Sequence, residues 1–153
     1  MTRPSWDDYF ICIAQAVSRR ATCLRRTYGA VITNNNIIIS TGYNGSPCGS
    51  TNCCDSGFCQ RDALSVPKGE RYELCEAVHA EQNAVINGDP TKMAGGTIYV
   101  AGYNADGTLA SGEPCLICRR MIANARISRV VYLDKTGEMV SISTQELARG
   151  SQA

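Results

Sequence analysis

The chain has 153 residues, of which 44% are hydrophobic and 19% charged, and its formal net charge is +1. This length predicts a single domain over residues 1–153 that buries a core without needing disulfide bonds. The composition is typical of a soluble globular protein. Its near-neutral charge gives no electrostatic reason to expect binding to nucleic acid or to an anionic membrane.

The compartment is inferred from the first residues and from the cysteines. Asp7 and Asp8 stand where a signal peptide would carry basic residues, and no apolar run is long enough to span a bilayer. We therefore expect a cytoplasmic protein. Nine cysteines cannot pair completely within one chain, and a reducing compartment does not maintain a disulfide framework, so metal binding is the natural alternative.

A helix and a hairpin are the first predicted elements. Ser5 and Asp8 form a capping-box pattern, and apolar residues then recur at helical spacing as far as Val17. The segments GAVIT and IIIST, separated by NNN, predict two antiparallel strands joined by a tight turn. Residues 42–71 are rich in Gly, Ser, Pro, Asn and Cys, which predicts an unusually long loop that something must hold.

The second half of the chain alternates helices and strands. Helical patterns cover residues 73–87, 113–125 and 143–150, and strand patterns cover residues 96–102 and 128–134. This order predicts a layered α/β fold in which crossover connections make the later strands run parallel.

Three residues suggest a metal site when they are considered together. His79, in VHAEQNAV, is the only histidine, and a lone histidine is more often a hydrogen-bonded core residue than a ligand. Cys115 and Cys118 share one face of a predicted helix, but such a pair also suits a redox dithiol, half of a zinc knuckle or two buried side chains. One imidazole and two thiolates would give a tetrahedral zinc site with an open fourth position, as catalytic zinc sites have.

Glu81 is the candidate acid and base of this site. It lies two positions after His79, about 200° round a regular helix, which argues against both side chains ligating one ion from mid-helix. Both motifs stand near predicted helix starts, where the helix dipole favours thiolates. A long side chain at a helix start still reaches a metal-bound water, so general acid and base catalysis is the role that fits Glu81.

The motifs HAE and PCLIC match the H-x-E…P-C-x-x-C signature of zinc-dependent nucleobase deaminases. With TCLRRTYGAVI, STGYNGSP, NCCDSGFCQR and ELCEAVHAEQNAVI, they make most of residues 5–133 resemble the deoxycytidylate (dCMP) deaminase family, particularly its bacterial, archaeal and phage members. The resemblance implies a three-layer cytidine-deaminase-like α/β fold with a central mixed sheet and helices on both faces. It also implies attack of water on C4 of cytosine, which converts dCMP to dUMP and ammonia.

The resemblance assigns roles to individual residues. It implies a catalytic zinc on His79, Cys115 and Cys118, with Glu81 as proton shuttle, and it places the backbone of Ala80 near the pyrimidine carbonyl.

Two further substrate contacts have strong alternatives. Asn44 of GYNG corresponds to the nucleotide-contacting asparagine of the family, whereas the residues alone favour a simple Asn-Gly turn. Arg26 could place a cation near a 5′-phosphate, although a pair of arginines ahead of a strand is usually a solvated edge.

One segment departs from the resemblance. Residues 102–113, GYNADGTLASGE, are inserted before the Pro-Cys motif, and Glu113 gives an approach that is more reminiscent of tRNA adenosine and guanine deaminases. The alternatives are therefore a deaminase of guanine, cytidine or a tRNA base, or a non-catalytic zinc-stabilised interaction module. Relatives are commonly oligomers and often hexamers, so the resemblance implies a homo-oligomer, with a hexamer as one arrangement, that binds a small nucleotide and no nucleic acid.

A second, structural zinc is predicted from cysteines that the first site leaves over. Its four ligands would be Cys23, Cys53, Cys59 and Cys75. Two of them, Cys23 and Cys53, match second-zinc ligands of some phage relatives, and Cys54 could replace Cys53. A closed four-thiolate site would pin residues 42–75 beside the helix of the catalytic site. The alternative is a set of scattered reduced thiols.

Overall fold

The computed structural model describes residues 2–67 and 69–150, and six strands within them form one sheet. The strands are β1 Arg26–Asn34, β2 Ile37–Tyr43, β3 Thr97–Asn104, β4 Leu109–Ala110, β5 Arg129–Leu133 and β6 Met139–Ser143. Their order across the sheet is β2-β1-β3-β5-β6, and β4 pairs with the end of β3. The sheet edges are therefore β2 and β6.

Seven α-helices accompany the sheet in the described ranges. They are α1 Trp6–Ser18, α2 Cys53–Ser56, α3 Gln60–Ala63, α4 Ala80–Asn87, α5 Pro90–Met93, α6 Leu116–Asn124 and α7 Thr144–Gly150. A short 3-10 helix covers Tyr72–Leu74. Across residues 2–67 and 69–150, no helix has the length and apolar character needed to cross a membrane.

The sheet is mixed. β3 and β5 are parallel, because their connection contains the crossover helix α6, and this confirms the prediction for the later strands. The other pairs, including β5 with β6, are antiparallel. The sequence does not predict β4, β6 or α5, because β4 and α5 are very short and β6 is a half-exposed edge strand without a strong apolar run. It also misses α2 and α3, single helical turns within the predicted long loop.

Alternate residues of the central strands point to opposite faces of the sheet, as strand geometry requires. On one face, Ile32 and Ile98 belong to a core shared with buried residues of α4, α6 and α7. On the other face, Val31 and Tyr99 pack with Phe10 and its neighbours on α1. Helices thus cover both faces of a mixed sheet, which confirms the predicted fold class.

The first hairpin is as predicted. Asn35 and Asn36 join β1 to β2 with φ of 50° and 60°, in the left-handed region that asparagine tolerates better than most residues. Two successive residues of this kind match the twist of the flanking strands.

The predicted helix over residues 73–87 is wrong in its first half. Residues 75–79 are not helical, and Val78 instead exchanges backbone hydrogen bonds of 2.7 and 3.1 Å with Gly45. This tertiary pairing draws the segment against the loop that follows β2, and α4 begins only at Ala80. His79 therefore lies immediately before the helix.

Candidate functional site

Two helix starts meet at the candidate site. His79 is the N-cap residue of α4, with φ of −71° and ψ of 155°, and its backbone N–H donates to Oε1 of Gln82 at 2.8 Å. Cys115 is the N-cap residue of α6, with φ of −67° and ψ of 168°. Both residues thus have extended backbones, and their side chains meet where two helices begin.

His79, Cys115 and Cys118 form a compact ligand group. Nδ1 of His79 lies 3.6 Å from Sγ of Cys115 and 3.4 Å from Sγ of Cys118, and all the ligand atoms lie within 4.8 Å of one another. A tetrahedral zinc with ordinary bond lengths would separate its nitrogen and sulfur ligands by roughly 3.6 Å. The observed separations and the donor types therefore fit zinc, and three protein ligands leave one position for water or substrate.

The ionisation of the two thiols is coupled. Hydrogen bonding from Cys118 lowers the pKa of Cys115 to about 4, and His79 acts in the same direction. The shared hydrogen bond with Cys115 raises the pKa of Cys118. Hydrogen bonding to Cys115 raises the pKa of His79. The group therefore already favours one thiolate, as a metal ligand requires.

Glu81 lies in the first turn of α4 and is 7% exposed. Burial raises its pKa, and it is close enough to His79 and Cys118 for both to influence that pKa. The helical angle between His79 and Glu81 does not apply, because the histidine lies outside the helix. Cys115 likewise caps α6, which begins at Leu116, and the two sulfurs meet at the His79 imidazole as the sequence predicts.

Tyr28 and Tyr72 lie at the site, although no sequence motif marks them. Burial raises the pKa of Tyr28, and the charges of Arg26 and Glu81 also act on it. The ring of Tyr72 meets the His79 imidazole edge-on, with centroids 6.0 Å apart. Tyr28 could have been found from strand periodicity, since it lies two positions before the buried Ala30. Tyr72 has no comparable signal.

Arg61 links Tyr72 to the long loop. Its side chain is 8% exposed, and its guanidinium lies 5.0 Å from the centre of the Tyr72 ring. Nη2 of Arg61 donates to the carbonyls of Pro67 and Glu70 at 3.1 and 2.9 Å. A buried arginine thus fastens the loop next to the ring that contacts the histidine.

Asn44 is buried, and its carboxamide is bonded to β1. Oδ1 accepts from the Tyr28 backbone N–H at 2.7 Å, and Nδ2 donates to the Arg26 carbonyl at 3.0 Å. The structure therefore gives Asn44 a positioning role at the start of β1. Ala80 is fully buried at the start of α4, where backbone N–H groups have no partner within the helix.

The structure separates the two neighbouring arginines. Arg25 forms an ion pair of 3.1 Å with Asp62 of the long loop, whereas Nε of Arg26 donates to Oδ1 of Asn104 at 3.2 Å. Arg26 therefore faces the end of β3 and the neighbouring Tyr28 side chain, whereas Arg25 faces the long loop.

Glu113 is engaged with α6. Its carboxylate accepts from Nη2 of Arg119 at 2.7 Å, and Nε of Arg119 donates to the Pro114 carbonyl at 2.9 Å. These bonds hold the backbone just before Cys115. The glutamate that precedes the Pro-Cys motif thus contacts a helix arginine rather than the ligand group.

The other cysteines divide by exposure. Cys23, Cys53, Cys59 and Cys75 are half-buried, whereas Cys12, Cys48 and Cys54 are exposed. Burial raises the pKa of Cys53, and the nearby sulfurs of the other three half-buried cysteines raise it further. The four are therefore neighbours in space, although they are not grouped as tightly as the ligands around His79.

Comparisons with known proteins agree with this geometry. The family model for the cytidine and deoxycytidylate deaminase zinc-binding region matches residues 4–134. A deoxycytidylate deaminase of Mycobacterium phage D29 is 39% identical over 136 residues, which cover 86% of this chain and 97% of that protein. Another, from Schizosaccharomyces pombe, is 35% identical over 85% of this chain, which spans only 37% of that longer protein.

Solved structures show the same fold. The dCMP deaminase of the cyanophage S-TIM5, in complex with dCMP and dUMP, is 26% identical with a TM-score of 0.59, and the match covers 86% of this chain and 83% of that one. Its apo form gives a TM-score of 0.63 at 24% identity, over 97% of this chain and 94% of that one.

Proposed function

The chain belongs to the cytidine and deoxycytidylate deaminase family, and we propose that it is a zinc-dependent hydrolase that converts dCMP to dUMP and ammonia. The observation that carries the proposal is the meeting of His79, Cys115 and Cys118 beside the buried carboxyl group of Glu81. The relative from Mycobacterium phage D29, which matches nearly along its full length, supports dCMP as the substrate.

The zinc would be held by Nδ1 of His79 and the two sulfurs, and when bound it would supply the Lewis acidity that activates water. Glu81 is placed to move the protons. It would take one proton from the attacking water and deliver it to N3, and then carry the remaining hydroxyl proton to the departing amino group, while the C4–N bond breaks and a C4–O double bond is left. Burial raises the pKa of this carboxyl group, which makes its carboxylate a stronger proton acceptor than an exposed one.

Three residues are proposed to bind the nucleotide. The free backbone N–H at Ala80 would donate to the pyrimidine carbonyl, and the guanidinium of Arg26 would attract the 5′-phosphate. Asn44 would act chiefly by fixing the backbone of Arg26 and Tyr28 through its two hydrogen bonds to β1. Its second Nδ2 hydrogen and second Oδ1 lone pair could also bind the nucleotide.

A second zinc on Cys23, Cys53, Cys59 and Cys75 is also part of this proposal. The half-burial of these four sulfurs and their closeness to Cys53 support it, and Cys54 is the weaker alternative because it is exposed. The ion would be structural, since four thiolates leave no open position. Metal analysis of protein purified without chelator should give two zinc ions per chain.

We propose further that the protein acts as a homo-oligomer in the cytoplasm. Large apolar side chains are exposed on the helices next to the site, with Ile86 at 72% and Ile117 at 51%. Such side chains are typical of surfaces that another subunit covers. All nine cysteines are unpaired, which suits a reducing compartment. Light scattering would give the number of subunits.

Ammonia release tests the function directly. The purified protein is offered dCMP, CMP, deoxycytidine, dCTP, guanine and tRNA, and we expect dCMP to give the highest kcat/KM. Glu81→Gln should retain zinc and lose about 10² to 10⁴-fold in kcat, because the amide keeps the volume without the proton transfer. Glu113→Gln is the matched control and should stay active, since that carboxylate contacts Arg119. Preferred turnover of guanine or tRNA would overturn the proposal.

A further inference from the structure

The inserted segment builds a hairpin that reaches Arg26. Gly102 and Tyr103 of β3 pair with β4, and the connecting turn is closed by hydrogen bonds from Thr108 to Oδ1 of Asp106 at 2.6 and 3.0 Å. Asn104 lies at the end of β3, directly opposite Arg26 in the register of β1 and β3. We call residues 104–110 the β3–β4 hairpin.

The side chain of Asn104 has a fixed orientation. Its Nδ2 donates to Oγ1 of Thr108 at 3.1 Å and to the carbonyl of Leu109 at 3.2 Å. A backbone carbonyl only accepts, so the amino group must face the hairpin and Oδ1 must face outward. Oδ1 then accepts from Nε of Arg26 at 3.2 Å. The hairpin thus presents one acceptor to one arginine.

This contact orients Arg26 without neutralising it. No carboxylate forms an ion pair with Arg26 within residues 2–67 and 69–150. The positive charge of Arg26 is therefore available to an anionic ligand. Asn104 takes the Nε donor, and the Tyr28 hydroxyl also lies close enough to hydrogen-bond with the guanidinium. The remaining terminal N–H groups form the fork that suits phosphate oxygens. An aspartate at 104 would have cancelled the charge that an anion needs.

The oriented guanidinium lies on the side of the ligand group. Arg26 and Tyr28 are two positions apart on β1 and so share a face of the sheet, the face that α4 covers. The Tyr28 ring crosses the neighbouring strand so closely that a Cβ at Gly102 would lie 2.2 Å from it. β3 thus contacts both side chains, Tyr28 through Gly102 and Arg26 through Asn104.

We propose that Asn104 is a positioning residue that makes the inserted hairpin a determinant of phosphate recognition, by holding the Arg26 fork toward the 5′-phosphate of the substrate. The inference rests on the proposed function. It gives residues 102–113, which depart from the family resemblance, a role in selecting a nucleotide over its nucleoside.

The test compares dCMP with deoxycytidine in four proteins: wild type, Asn104→Ala, Arg26→Ala and the double variant. Losing a hydrogen bond to a charged group should raise the KM for dCMP by about tenfold in Asn104→Ala and leave kcat and the deoxycytidine parameters within about twofold. Arg26→Ala should cost more, on the order of 10²-fold in kcat/KM for dCMP. The double variant should be no worse than Arg26→Ala, because Asn104 acts through that arginine.

Asp106→Ala is the matched control, since it loosens the turn of the same hairpin without touching Arg26. It should keep the wild-type ratio of kcat/KM for the two substrates. Equal loss in Asp106→Ala and Asn104→Ala, additive losses in the double variant, or parallel losses for dCMP and deoxycytidine would overturn the positioning role. A wild-type protein that deaminates neither substrate would instead refute the proposed function, and the inference with it.

Discussion

Gly42→Ala is expected to lower activity by displacing α4, the helix that carries Glu81. Gly42 lies on β2 against α4, and an added Cβ would be 2.3 Å from the Ala84 nitrogen and 2.4 Å from the Ala80 oxygen. Ordinary Cβ contacts begin near 3.4 Å, so relief needs a movement of roughly 1 Å between strand and helix. The opposing atoms are backbone and cannot rotate away. Overpacking of this kind typically costs about 1–3 kcal/mol of unfolding free energy.

The movement would be transmitted to the chemistry, because α4 is capped by His79, the proposed zinc ligand, and carries Glu81. A misplacement of about 1 Å can cost on the order of 10²-fold in rate. We therefore expect urea unfolding to show the stability loss, and dCMP deamination to fall in protein that is still folded and zinc-loaded. Gly150→Ala, which meets no atom within 4 Å, is the control. Wild-type stability and turnover in Gly42→Ala would refute the reasoning.

Three further outcomes are expected. Hydrogen bonding to Arg129 lowers the pKa of Asp7. The pair therefore stabilises the folded protein above the ordinary aspartate pKa of about 3.9, and this stabilisation is lost as the pH falls through the pKa of Asp7 in the folded state. The melting temperature of Asp7→Asn should accordingly depend less on pH below about 5 than that of the wild type. Cys59→Ser should bind one zinc fewer and be cut faster by protease within residues 42–75, whereas an unchanged metal content would contradict the second site. Arg61→Met should likewise speed cleavage of that loop, and Arg61→Lys should restore little, since a lysine cannot span both carbonyls.

The ligand group could be predicted from the sequence because it depends on residue types at short spacing. Cys115 and Cys118 are held together by one helix start, and a thiol pair of this spacing has few uses. His79 needed the second motif to be recognised. The strands with the most buried residues, β1, β3 and β5, were also predictable, because short apolar runs bounded by turn residues are typical of buried strands.

What the sequence could not give depends on contacts between distant segments. The pairing of Val78 with Gly45 overrides the helical propensity of this segment, so α4 begins at Ala80 and not at residue 73 as predicted. Tyr72 reaches His79 only because the buried Arg61 folds the loop back. The bond between Arg26 and Asn104 joins residues 78 positions apart, and no local pattern announces it.

The position of His79 and Cys115 as helix caps has a consequence for how this protein can change over time. Each of them precedes a helix that is packed into the core, through the fully buried Ala80 in α4 and Cys118 in α6. A mutation that alters the ligands therefore also disturbs folding, and selection on either property preserves both. The exposed residues 47–51 of the long loop and the exposed turn of the β3–β4 hairpin, residues 105–108, lie outside this constraint, and exposed turns commonly tolerate insertion. New substrate preferences are accordingly expected to arise, or to be engineered, in these two segments while the reaction itself stays fixed.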